Sequence, residues 1–112
     1  MIRALFTAAT GMNAQEINVA TISNNISNVN STGFKKSRAE FQDLLYQNLR
    51  LVGTLSPNGN QIPTGSQLGL GTKLGSIARI YKQGDFIQTQ GQLDIAITGR
   101  GFFQIALPDG TI

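Results

Sequence analysis

From Leu5 to Val29 the apolar residues recur on a heptad. Leu5, Met12, Val19 and Ile26 share one position, and Ala8, Ile22 and Val29 each follow three residues after a member of that set. Recurrence at this interval gathers side chains on one stripe of an α-helix, so the pattern predicts a long amphipathic helix. Gln15 is the one polar break in the stripe. Phe6 and Ile17 lie nearly opposite it by the helical period, which predicts a second, smaller apolar side and more than one packing neighbour. Ala8, Ala9, Gly11, Ala14 and Ala20 keep the helix thin enough for another backbone to approach. Gly11 costs about 1 kcal/mol against Ala in a helix interior, which close packing would offset; the alternative reading is a helix frayed near its start.

The helix is predicted to end within Asn24-Asn25-Ile26-Ser27-Asn28-Val29-Asn30-Ser31-Thr32-Gly33. Asn and Ser offer the backbone competing hydrogen bonds there, and Gly33 permits a positive φ. Phe34 to Leu51 mixes basic, acidic and apolar residues at spacings that fit a short helix or an extended arm equally well. From about Val52 to Gly75, Pro57, Pro63 and six glycines lie among polar residues, and the stretch reads as a long loop. Ser76 to Tyr81, Leu93 to Thr98 and Phe102 to Leu107 read as strands, the second alternating Leu93, Ile95 and Ile97 on one face. Pro108-Asp109-Gly110 is a strong turn signal followed by only two residues, which predicts that the polypeptide is part of a longer one.

Composition narrows the chemistry. A chain of 112 residues with 40% hydrophobic content can hold one modest domain, but only 13% of it is charged, and Asn, Gln, Ser, Thr and Gly stand where a soluble monomer carries Lys and Glu. Such surfaces associate readily. The net charge of +3 is well below that of a dedicated nucleic-acid binder. No apolar run reaches the length of a bilayer span, and the N-terminus lacks the pattern of a cleavable secretory signal, so export requires another route. With no His and no Cys, the commonest general base, the usual nucleophile and the soft metal ligands are all missing. The six carboxylates, Glu16, Glu40, Asp43, Asp85, Asp94 and Asp109, show no acid/base pairing. Gly69-Leu70-Gly71-Thr72-Lys73 does not complete a phosphate loop, and Gly99-Arg100-Gly101 does not complete a dinucleotide fingerprint. No enzyme and no cofactor is expected.

The best rival signal is Arg100-Gly101-Phe102-Phe103-Gln104-Ile105, which opens like an RNA-recognition strand but puts Phe103 where Gly or Ala belongs. A single-stranded RNA-binding module is therefore the alternative from another class.

The segment Ile22-Ser23-Asn24-Asn25-Ile26-Ser27-Asn28-Val29-Asn30-Ser31-Thr32-Gly33-Phe34-Lys35, at the end of a heptad helix containing Thr10-Gly11-Met12, resembles the signature of bacterial flagellar rod and hook proteins. Arg38 to Gln47, Asp94 to Gln104 and Leu107-Pro108-Asp109-Gly110 add to the resemblance. It is closer to the distal rod than to the hook or proximal rod, the alternatives within the family. The resemblance covers nearly the whole chain and only the N-terminal part of such a subunit, which continues through further β-structure to a C-terminal helix pairing with the first.

That likeness implies an α+β organisation. Residues 1–33 form the assembly helix of the rod core, 34–75 an extended arm with the long distal-rod loop, and 76–112 the start of a β-rich outer domain. It implies a structural subunit of a drive shaft, a homo-oligomer in a helical tube that transmits torque to the hook. Proximal rod and hook subunits and surrounding bushing rings are its implied neighbours, with no nucleic acid and no direct insertion into the membrane. Leu5, Met12, Val19, Ile22, Ile26 and Val29 would supply apolar contact between subunits, and Asn24, Asn25, Asn28, Thr32 and Gly33 the helix end and its inter-subunit hydrogen bonds. Phe41 and Leu45 match a Phe-x-x-x-Leu element read by the flagellar type III export gate, or else form a pair of core residues. The implied place is the basal-body rod crossing the periplasm, reached by export without cleavage. An isolated helix of this kind is marginal in water and needs partners.

Overall fold

The computed structural model describes all 112 residues. The heptad region folds as α1 (Ile2–Ser27), 26 residues or about 39 Å of helix. No side chain caps its start, where the Leu5 amide donates to the Met1 carbonyl at 3.1 Å. Its end falls inside the Asn/Ser segment, as the competition for backbone groups predicts. The Ser27 hydroxyl donates to the Ser23 carbonyl at 2.8 Å and the Asn28 side-chain amide to the Asn24 carbonyl at 3.0 Å, the latter beside the Asn28 backbone amide, which bonds the same carbonyl at 3.1 Å. The chain then turns at Gly33, whose φ is +70°.

Residues 37–79 form a two-stranded antiparallel ribbon in two pieces. β1 (Ser37–Asp43) pairs with β4 (Thr72–Arg79), and farther out β2 (Tyr46–Arg50) pairs with β3 (Ser66–Gly69). Leu44 donates its amide to the Gly71 carbonyl at 2.9 Å across the break between the pieces. A bulge lies where Glu40 faces Ser76 and Phe41 faces Leu74, leaving Gly75 as the extra residue. The undecided stretch 34–51 is thus extended.

The expected loop over 52–75 is corrected, because it holds β3, the start of β4 and an ordered tip. Gly53 and Ile62 donate to the carbonyls of Ile62 and Thr54 at 3.0 and 3.1 Å, Leu55 bridges Gln61, and the amides of Ser56 and Gly59 bond Asn60 and Ser56 carbonyls at 2.8 Å. Pro57 sets the first turn position, and Gly59 takes the positive φ that closes it. Pro and Gly here punctuate a hairpin rather than dissolve one.

α1 and the ribbon pack in a single unit, Met1–Ile80. The ribbon runs back along the helix from its C-terminal end, because Asn25 bonds Ser37, Thr10 bonds Thr72, and Arg3 bonds Gln47 through its guanidinium. Helix and strand lengths agree: Thr10 to Asn25 is about 22 Å of helix, and Ser37 to Asp43 about 20 Å of strand. The closest approach is at Gly71, with φ at +121°, where a Cβ would lie 2.3 Å from the Thr10 hydroxyl oxygen. Only glycine fits.

Residues 81–112 form a second unit, Tyr81–Ile112, without regular secondary structure. The strands predicted at 93–98 and 102–107 do not form, and the one predicted at 76–81 is realised as the end of β4. A strand requires a partner for its backbone groups, and within this unit none of the segments pairs with another. Side chains organise it instead. The Gln83 amide donates to the Ile97 carbonyl at 3.3 Å and accepts the Gly99 amide at 3.0 Å, the Thr89 hydroxyl donates to Asp94 at 2.5 Å, and Tyr81 meets Phe102 edge-to-face at 5.6 Å. The Pro-Asp-Gly turn is present, with Gly110 donating to Leu107 at 3.0 Å.

Gly71→Ala is expected to destabilise the helix–ribbon unit by about 1–3 kcal/mol, through the disfavoured φ and the collision with Thr10. Denaturant titration of the unassembled polypeptide measures it, and an unchanged midpoint would show that the close approach is not constraining.

Candidate assembly surface

The helix has two unlike faces. Thr7, Thr10, Gly11, Ala14, Ile17, Asn18, Thr21, Asn25 and Asn28 are half-buried, and their spacing traces one stripe along α1. This stripe is polar and small apart from Ile17, and the ribbon strands β1 and β4 lie against it. The heptad stripe points elsewhere, about 140° away round the axis at 100° per residue.

Every large side chain of the heptad stripe is bare. Leu5, Met12, Val19, Ile22, Ile26 and Val29 range from 47% exposed at Ile22 to 70% at Val29. The whole chain has no buried hydrophobic residue. A surface-lying helix of an ordinary domain turns its apolar stripe inward, and here the chain covers the polar stripe with its own ribbon. The second apolar side read from Phe6 and Ile17 divides: Ile17 is half-buried in the covered stripe, while Phe6 is 69% exposed.

The polar residues at the helix end have separate placements. Asn25 is half-buried and bonds Ser37 of the same chain with both ends of its amide, donating to the carbonyl at 2.7 Å and accepting the amide at 2.9 Å. Asn28 caps the helix end. Asn24, Thr32 and Gly33 are exposed, the last two in the turn after the helix. Phe41 sits in β1 opposite Leu74 at 37% exposure, and Leu45, at 85%, projects from the break between β1 and β2. The break separates the two residues of the Phe-x-x-x-Leu pair, and Leu45 is no core residue. Phe102 and Phe103 lie on no strand, so the flat stacking face of an RNA-recognition sheet is not formed.

Thr10 and Thr7 were not singled out by apolar periodicity. The Thr10 hydroxyl donates to the Thr7 carbonyl at 2.7 Å and accepts the Thr72 amide at 3.3 Å. The signal was in the polar residues, since Thr7, Thr10, Ala14, Asn18, Thr21 and Asn25 repeat at the same helical interval as the apolar ones.

Residues 5–35, covering most of α1 and the turn after it, match the family described as "Flagella basal body rod protein". The chain is 54% identical over 117 residues to the flagellar basal-body rod protein FlgG of Borreliella burgdorferi, an alignment covering 99% of this chain and 42% of that protein. It is 54% identical over 110 residues to FlgG of Caulobacter vibrioides, covering 97% of this chain and 42% of the relative. Against the flagellar hook protein FlgE of Helicobacter pylori the identity is 42% over 111 residues, covering 97% of this chain and 15% of that protein. Over nearly its whole length the chain is similar to flagellar basal-body rod proteins. It spans less than half the length of the rod relatives, and it is more similar to them than to the hook protein.

The two faces predict opposite responses to substitution. Val19→Ser should change the stability of the unassembled polypeptide by less than about 0.5 kcal/mol, because its side chain has no covering group to lose. Ile17→Ser should cost about 1–2 kcal/mol, because part of its surface is held from water by the ribbon. Thermal melts followed by helix dichroism compare them. Equal losses would mean that the heptad stripe is covered within the chain.

Proposed function

We propose that this chain works as a structural subunit of the flagellar distal rod, polymerising into a helical tube that carries torque from motor to hook. The observation that carries the reading is the uncovered heptad stripe on a helix whose other face is already occupied. FlgG relatives, at about half identity, supply the class of assembly. The role is mechanical, with no catalysis and no cofactor. The stripe is matched to α-helices of identical or related subunits, and the ribbon beside it gives each helix a broad flank against its neighbours.

Magnitudes favour many neighbours over one. Covering the six large residues of the stripe contributes on the order of 10 kcal/mol. Association costs about 4–15 kcal/mol in lost freedom. One helix pair therefore comes close to balance, and a rigid shaft requires each helix to touch several others, as in a closed tube. Proximal rod and hook subunits occupy the ends of such a tube, and bushing rings surround it. The proposed location is the basal body, in the rod that crosses the periplasm. With no helix long and apolar enough to cross a membrane, we assign delivery to the flagellar type III export gate without cleavage, with Phe41 and Leu45 as its recognition pair. An extended segment ending in a bare Leu45 is accessible to a receptor before assembly.

Val19→Asp or Ile26→Asp should abolish rods in electron micrographs of basal bodies while the polypeptide is still exported at its usual level. A carboxylate buried between helices without a partner carries a penalty of several kcal/mol. Normal rods from either variant would overturn the assembly reading. Phe41→Ala with Leu45→Ala should instead lower the exported amount severalfold and leave the polypeptide folded; unchanged export would remove the recognition role.

A further inference from the structure

The contact between Asn25 and Ser37 has a specific geometry. Ile80 donates its amide to the Lys36 carbonyl at 2.9 Å, so Lys36 directs its carbonyl toward β4. In an antiparallel pair the backbone groups of successive residues alternate between the two sides. The amide and carbonyl of Ser37 accordingly face the open edge of β1, where no strand follows. The Asn25 side-chain amide fills both positions, a donor and an acceptor at the spacing of a peptide group, at 2.7 and 2.9 Å.

A second fixing point lies farther back along the same helical stripe. The Thr10 hydroxyl accepts the Thr72 amide at 3.3 Å, beside the glycine that lets the backbone come close. Both points bind backbone rather than side chains, and both use residues of the polar stripe.

We propose that Asn25 is a strand-edge cap, a positioning residue that fastens β1 to α1 within one chain, and that with Thr10 it determines which helix face the ribbon covers. The polar stripe is thereby committed to the chain's own ribbon, and the heptad stripe is left outward. The inference is local and independent of what the outward stripe meets.

The test is amide hydrogen exchange on the monomeric, unassembled polypeptide, read at Ser37. Asn25→Ala removes both hydrogen bonds, and Asn25→Asp keeps the size while replacing the donor by an oxygen that repels the Ser37 carbonyl. Each should speed exchange at Ser37 by roughly tenfold or more, with helix dichroism retained, whereas Asn24→Ala at the exposed neighbouring position should leave it unchanged. Unaltered protection in Asn25→Ala, wild-type protection in Asn25→Asp, or an equal effect of Asn24→Ala would overturn the cap. Collapse of the whole helix in both Asn25 variants would also overturn it, because an edge cap acts locally. Val19→Asp, which tests assembly, should not alter exchange at Ser37, so the two readings fail separately.

Discussion

A two-stranded ribbon leaves the outward amides and carbonyls of both its strands without strand partners, and the architecture of residues 1–80 follows from how some of those groups are met. α1 meets them with hydroxyl and amide side chains presented on one stripe, at intervals that correspond to points along β1 and β4. Because those side chains are polar and small, the ribbon can lie close without a hydrophobic layer between. The apolar stripe is then excluded from the chain's own packing. The helix is inverted relative to one in an ordinary domain: what it keeps for itself is polar, and what it offers outward is apolar.

Side-chain amides act as substitutes for absent strands in both units. Asn25 does so for β1, and Gln83 does so for the segment 97–99, taking a carbonyl and an amide two residues apart. The substitution satisfies backbone groups at single points only. It suffices at the start of β1, where β4 already pairs with the other edge. It does not turn 93–98 or 102–107 into strands, since a strand needs a continuous row of partners. The alternating Leu93, Ile95 and Ile97 have the composition of a strand without the neighbour that would make them one.

What could be read from the amino-acid sequence follows the range of the interactions involved. The helix, its end among the Asn and Ser residues and the positive φ of Gly33 are local matters, and all were legible. The heptad stripe was legible as a surface seeking cover, because its periodicity is unbroken except at Gln15. The ribbon was not, since pairing Ser37 with Arg79 or Tyr46 with Gly69 depends on residues far apart in sequence, and Pro57, Pro63 and the glycines of 52–75 looked like loop composition. The turn at Pro57-Asn58-Gly59 was the available clue. The tie between Asn25 and Ser37 was equally hidden: an Asn near a helix end reads first as a local cap, and only the returning strand gives it a distant backbone to hold. The strands expected after residue 90 failed for the complementary reason, that composition reports a preference and pairing decides the outcome.

The matched lengths of β1 and of the α1 segment between Thr10 and Asn25 also constrain how such a chain can change over generations. One residue added to an extended strand advances it by about 3.3 Å, whereas one added to a helix advances it by only about 1.5 Å. Between the ties at Thr10 and Asn25, an extra ribbon residue is taken up either by a bulge, as at Gly75, or by about two residues in α1, which also rotate the heptad stripe by more than half a turn. Length variation is costlier in that interval than at the ribbon's far end around Pro57, where neither the helix nor its ties are disturbed.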